Sequence, residues 1–376
     1  MSARSLAFGL RVGTSVLPLL LSLAAESSGL TWRPAWNTTL DQVQGRSSLK
    51  GACIREGTLY VTAVVTGGGF PDPTPILYSL PLGTAAPPAA TRLWKGRTVS
   101  PEGGLSNPTC GQEGISFALR EAQGETRLVH VTPEGRSEQT RLVSGPSSLE
   151  IVALRARDEG EWLLATSLSD RLFLARAKGV TEEIAVPGAA AEEVVIDLCT
   201  AAGRFALLTH TQTDAPVGLL KLREWEPTSD KVITRELRGS FGGLLCSPGG
   251  EMEVFHLQPQ GPASSYALAR YGPGLSGPKT EIVDSAQLAS PNASGSWTDA
   301  GSEWGVANLK KPTVYEAPRG ERPRLAWRET DERWGATITP PALAPVDDGS
   351  IAVVYEAYDR SSKDLPVVLR AVRLTR

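Results

Sequence analysis

Histidine is scarce in this chain, with three in 376 residues, and there are only four cysteines and two methionines. So few imidazoles and thiols leave no Cys-x-x-Cys pair and no His-Glu-x-x-His element, the spacings a zinc site needs. There is no Gly-x-Ser-x-Gly nucleophile turn, and no phosphate-cradling glycine loop followed by a helix. Basic charge is not in excess: 38 Lys and Arg face 41 Asp and Glu, a net charge of −3, which leaves no polybasic footprint for nucleic acid. Helical periodicity is poor throughout, which argues against a helical solenoid. Beyond the first 25 residues no apolar run approaches the ~20 residues of a membrane-spanning helix.

The N-terminus reads as a secretory signal. Arg4 and Arg11 supply the positive end, Val16–Ala25 the apolar stretch, and Ser22-Leu-Ala24 a small-x-small cleavage site. The expected organisation is a signal peptide over 1–25 and one domain over 26–376. The mature chain is expected to be secreted or periplasmic, without a membrane anchor.

What is abundant is a repeat. Seven glycines close a tight turn and are followed by an apolar run: Gly57, Gly114, Gly160, Gly203, Gly250, Gly301 and Gly349. The steps between them are 57, 46, 43, 47, 51 and 48 residues. A period of ~40–50 residues with strand patterning predicts a β-propeller with one repeat per blade. The runs after the glycines, such as Leu59–Val65 and Phe205–Thr209, are apolar on both faces, as strands packed between neighbouring blades require. Each repeat parses into four strands, A to D from the axis outwards, with the glycine in the A–B turn. Third strands after the turn, such as Thr181–Val186, are more polar and suit a solvated edge.

The last repeat stops at Arg376, directly after its C strand, while Leu30–Thr39 is a spare strand-like segment ahead of the first blade. Borrowing it would complete the seventh blade and remove an open edge. The fold class is therefore all-β, a seven-bladed propeller of four-stranded blades clasped by its N-terminal segment; a six- or eight-bladed parse is the alternative.

Cys246-Ser-Pro-Gly-Gly250-Glu-Met-Glu-Val resembles the A–B turn of WD-repeat and TolB-like propellers, although the Gly-His and Trp-Asp dipeptides of WD repeats are missing. The resemblance implies the propeller fold and assigns no functional residue. Asp299-Ala-Gly301-Ser-Glu-Trp304 resembles part of the sialidase Asp box, but it falls between strands A and B and is better read as the sixth copy of the glycine turn.

All four cysteines, Cys53, Cys110, Cys199 and Cys246, stand four residues before a repeat glycine. Equivalent positions lie on one ring about the axis, so the simplest pairing is Cys53–Cys110 and Cys199–Cys246, each joining neighbouring inner strands. Such bridges need Cα atoms about 4.4–6.8 Å apart, so the ring must be tight at that level. Four thiolates binding zinc in the channel, or buried free thiols, remain as other readings.

His130, His210 and His256 are read as structural; no metal and no cofactor is expected. Trp162 and Trp304 fall in B strands, Trp327 in a C strand, and Trp32 and Trp36 in the clasp. Function is expected on the rim formed by the B–C and D–A loops, since loops on a rigid scaffold carry it. The long B–C loops are Thr66–Pro75, Gln258–Ser265, Lys310–Pro323 and Glu356–Pro366. The expected function is that of an exported, non-catalytic, monomeric binding or scaffold module for a protein or glycan partner on that rim. The alternative is a sialidase-like glycan hydrolase or lyase, which would bring carboxylates, or a Tyr–Glu pair, together in a rim pocket.

Overall fold

The computed structural model describes residues 32–376 except 44, 68–69, 84–88, 98, 100–103, 122–123, 145–149, 159, 177–180, 191, 212–217, 228, 230, 261–262, 286–292 and 308–310. The signal-peptide segment lies outside the described residues.

The chain folds into seven antiparallel sheets, one per repeat. In blade 1 the order from the axis is Gly45–Arg55, Thr58–Gly67, Phe70–Pro81 and Thr91–Lys95. The inner strands touch one another in the order of the blades, and the seventh touches the first. The ring is therefore closed.

Closure follows the clasp expectation. Arg33–Val43 pairs antiparallel with Val367–Thr375 and forms the outer strand of blade 7. It begins three residues later than the sequence suggests and continues past Thr39. The inner strand of this blade is split. Trp334–Ala336 and Ala342–Pro345 both pair with Ile351–Asp359. Between them run residues 337–341, ending in two prolines; proline has no N–H for the ladder.

The turn glycines do two different jobs. Gly57, Gly160, Gly203, Gly250 and Gly349 take φ between 69° and 86°, the left-handed region open to glycine at little cost. Glu56-Gly57 and Ala202-Gly203 both have positive φ at the two central positions, the two-residue hairpin turn that matches strand twist. Gly301 is needed for space as well: a Cβ there would stand 2.5 Å from the carbonyl oxygen of Ala317.

Both expected disulfides are present. Cys53–Cys110 joins the inner strands of blades 1 and 2 with Cα atoms 5.8 Å apart, and Cys199–Cys246 joins those of blades 4 and 5 at 5.9 Å. No free thiol remains, so the zinc and free-thiol readings fall.

Side chains also stitch neighbouring inner strands together across the blade 2–3, 3–4 and 4–5 seams. Asn107 accepts from Leu154 N at 3.1 Å and donates to its carbonyl at 3.0 Å. Asp197 of blade 4 reaches both ways, accepting from Arg155 of blade 3 at 2.7 Å and from Leu244 N of blade 5 at 3.0 Å. Unpaired backbone on an inner edge is otherwise an exposed polar row.

Between blades the core is aromatic and aliphatic. Trp94 meets Phe117 edge-on at 5.0 Å across the blade 1–2 seam, and Phe255 stacks on Trp304 at 5.6 Å across the blade 5–6 seam. Trp36 is buried against Leu59 and Leu80 of blade 1, so the clasp also seals the blade 7–1 seam.

Two parts of the parse are corrected. Pro312–Pro318 is the C strand of blade 6, and Arg324–Arg328, with Trp327, is its outer strand. Lys310–Pro323 is therefore no loop; the prolines sit at the two strand ends, where a missing N–H is tolerated. The presumed loops Thr66–Pro75 and Gln258–Ser265 are mostly hairpin arms, because Thr58–Gly67 pairs with Phe70–Pro81 and Met252–Gln260 with Ala263–Gly272. Glu356–Pro366 shrinks to a turn after Asp359.

Candidate functional site

Strand direction fixes which groups share a face. Inner strands start at the D–A connection and end at the glycine turn, and B strands return to the starting side. The B–C and D–A connections therefore share one rim, opposite the glycine turns.

Six large hydrophobic residues are exposed among the described residues: Val194, Phe241, Ile282, Ile338, Tyr358 and Leu365. Five lie on this rim. Val194 and Phe241 stand at the upper ends of the inner strands of blades 4 and 5. Ile338, the most exposed at 72%, sits in the interruption of blade 7 over residues 337–341. Tyr358 is the penultimate residue of the B strand of that blade, and Leu365 lies in its B–C turn. Only Ile282 lies elsewhere, on the outer strand of blade 5.

Local structure holds these groups outward. Phe241 is the extra residue of a bulge between Ser240 and Gly242 and has φ 54°, a conformation an aromatic residue rarely adopts. Its ring stacks with His210 at 6.4 Å. Leu365 also has a positive φ, 45°. Its turn is built on Asp359, whose carboxylate accepts from Ser361 N at 3.0 Å and from Arg333 at 3.0 and 2.7 Å. The hydrogen bonds from Arg333, then from Ser361, hold the Asp359 carboxyl well below the usual carboxylate range.

A Tyr–Glu pair is present nearby, but it is walled in. The Tyr355 hydroxyl donates to Glu329 and accepts from Arg370 Nε at 3.1 Å. Arg370 in turn lies 3.8 Å over the ring of Trp334. Tyr355, Glu329 and Arg370 are all buried in the blade 6–7 seam, and Tyr355 packs on Trp327. Burial, then the neighbouring Glu329 charge, pushes the Tyr355 hydroxyl far up. The trio ties the D–A crossing to the last blade.

The two carboxyls with raised pKa among the described residues do not converge. Glu356 is buried in the blade 7–1 seam and accepts from Leu49 N at 2.5 Å, Thr339 Oγ1 at 2.8 Å and Ser47 Oγ at 3.1 Å; desolvation pushes it up against those bonds. Glu303 is pushed up to about 7, chiefly by burial. It lies two residues past the turn glycine Gly301, on the opposite face from the rim.

The histidines lie on strands of three different blades, His130 in blade 2, His210 in blade 4 and His256 in blade 5. Burial lowers His256 to about 4, which leaves it neutral at pH 7, and also lowers His210. His130 shares a 3.1 Å hydrogen bond with Ser116, which is buried. No group of three or more metal-ligating residues forms among the described residues, and none of their helices is long and apolar enough to cross a membrane. The two disulfides fit an oxidising compartment.

The exposed rim hydrophobics were not legible in advance. Ile338 offered the best signal, a lone aliphatic residue in Thr-Ile-Thr-Pro-Pro, where no strand could bury it.

No family model and no curated protein matches the chain. Among solved structures, it is similar to a streptogramin B lyase at 10% identity, covering 90% of this chain and 97% of that one, with a TM-score of 0.52. A catalytically inactive virginiamycin B lyase from Staphylococcus aureus with quinupristin matches at 10% identity over 92% and 99% of the two chains, TM-score 0.51. The WD40 β-propeller domain of Doa1 matches at 11% identity over 90% and 97%, TM-score 0.56. Lyases and WD40 domains score alike, so these likenesses speak to the propeller fold alone.

Proposed function

We propose that the chain is exported and that its D–A and B–C rim binds a protein partner, with no chemistry of its own. The observation that carries this reading is the segregation of exposed apolar side chains: five of the six among the described residues lie on one face. They fall in two groups, Val194 with Phe241 on the adjacent blades 4 and 5 and Ile338, Tyr358 and Leu365 on blade 7, and exposed apolar patches mark interaction sites. Three of the five are aliphatic, which favours protein over sugar, since sugars stack on aromatic rings. Seven of the nine tryptophans, which would be the natural stacking platforms, are buried. A glycan-active enzyme would place its chemistry at Tyr355, Glu329 and Arg370, and the burial of all three speaks against it. Export is supported by the N-terminal charge and apolar pattern together with the two disulfides.

The test is cross-linked capture from the native exported fraction, run beside a glycan array. Ile338→Asp combined with Leu365→Asp should abolish capture, while Ile282→Asp on the outer edge should leave it intact. Equal capture by both variants, or saturable glycan binding, would overturn the proposal.

A further inference from the structure

Across blade 6, on the face turned to blade 7, four polar side chains form one cross-strand row: Ser296, Glu303, Glu316 and Arg324. Glu303 and Glu316 are direct antiparallel partners, and both are buried, at 1% and 2% exposure. Like charges in directly opposed positions repel. The cations serve Glu316: Arg324 Nε donates to it at 3.1 Å, and Arg376 donates to its other oxygen. Arg376 also lies 4.8 Å over the ring of Trp32, next to the start of the clasp strand. Trp32 N in turn bonds the carbonyl of Ala326 in blade 6 at 3.2 Å. Among the described residues Glu303 receives only the Thr298 hydroxyl, at 3.3 Å on Oε1, and its Oε2 is buried without a partner. The facing surface of blade 7 is apolar here, with Leu343, Ile351 and Leu374. The charged groups acting on Glu303 are Glu316, Arg376 and, from blade 5, Glu253.

From this geometry we infer that Glu303 is a proton-operated latch on the seam where the clasp closes the ring. Protonated, Glu303 fits its apolar surroundings and leaves Arg376 to Glu316 and Trp32. Ionised, it places a second carboxylate against Glu316 and competes for Arg376, which loosens the hold on Trp32 and the clasp behind it. The direction is set by burial. The folded-state value of about 7 against an ordinary 4.5 means that the closed seam retains a proton the opened seam releases. Closure is therefore strongest below pH 4.5, weakens as pH rises from there to about 7, and levels off above.

Hydrogen exchange of the clasp strand Arg33–Val43 reads this opening directly. After correction for intrinsic rates, local opening should increase about tenfold between pH 6 and pH 8, the ratio that these two proton affinities imply. In Glu303→Gln the same amides should show no such rise, while the inner strands of blade 4 stay protected in both proteins. Difference infrared spectroscopy of the unaltered protein gives an independent readout: one protonated carboxyl should disappear near pH 7. Clasp exchange independent of pH in the wild type, an unchanged rise in Glu303→Gln, or no carboxyl titrating near neutrality would each refute the latch.

Discussion

Replacing Glu193 by glutamine should cost this protein about 3 kcal/mol at pH 7 and almost nothing at pH 2. Glu193 closes the connection from blade 3 into blade 4, and its side chain is 1% exposed. Its carboxylate accepts from both terminal nitrogens of Arg223 at 2.7 Å, from Lys221 at 2.9 Å and from the Thr209 hydroxyl at 2.7 Å. Arg223 also donates to the Gly188 carbonyl at 3.0 Å, so one buried guanidinium ties both ends of the connection to the blade. Burial alone would raise the acid, but the bonds from Arg223, Thr209 and Lys221 outweigh it and bring Glu193 down to about 2 from 4.5. That lowering is worth about 3 kcal/mol. Because the folded-state value is the lower one, this stability is fully present above about pH 4.5 and disappears as pH falls through about 2. Removing one partner of a buried pair costs about 3–5 kcal/mol, because the other charge is left uncompensated. Urea unfolding with the disulfides intact, from pH 7 down to pH 2, measures the difference between wild type and variant. A gap below about 1 kcal/mol at pH 7, or one that does not shrink on acidification, would show that the network is not the acid-sensitive anchor described. Replacing Glu193 and Arg223 together by leucine and methionine should recover most of the loss, since well-packed apolar pairs often match a buried ion pair.

Two further predictions concern closure. Cys199→Ser with Cys246→Ser removes a cross-link spanning 47 residues and should lower stability by about 4 kcal/mol on the chain-entropy model, read as a drop in the urea midpoint; intact mass after alkylation without reduction should show no modified thiol in the parent protein. Deleting Arg33–Val43 uncovers the edge of Val367–Thr375, and light scattering should then show concentration-dependent association, as unpaired edges invite. On the rim, Ile338→Asp should change thermal stability by no more than about 0.5 kcal/mol, because so exposed a side chain has little packing to lose.

The skeleton of this fold was open to reading because local stereochemistry forces it onto particular residues. A left-handed turn position favours glycine, so Gly57 and Gly203 announce their hairpins. Because the repeat places each cysteine at the same height, Cys53–Cys110 and Cys199–Cys246 could be paired before any distance was known. The clasp followed from counting strands at the two ends. The reading failed where proline was taken as loop material: Pro312 and Pro318 bound a strand whose interior, Thr313–Ala317, is buried throughout. It also failed for everything decided between blades. Nothing in Gly-Ser-Glu-Trp tells that Glu303 turns to blade 7 while Trp304 turns to blade 5, where its Nε1 donates to Glu253 at 3.1 Å. The rim residues were hidden for a similar reason, since an exposed Ile338 and a buried Ile351 look alike in composition, and only the split inner strand of blade 7 separates them.

The pairing of Arg33 with Thr375 has a mechanical meaning. The two ends of the domain emerge side by side on the glycine-turn face, opposite the apolar rim. A force applied through them would peel one antiparallel pair apart bond by bond instead of shearing the whole strand at once, so the ring should open at its clasp under modest load while the disulfide-joined blades stay together. The same geometry suits display. A surface, tag or neighbouring domain fused at either end holds the protein by one face and leaves the other pointing away from the support.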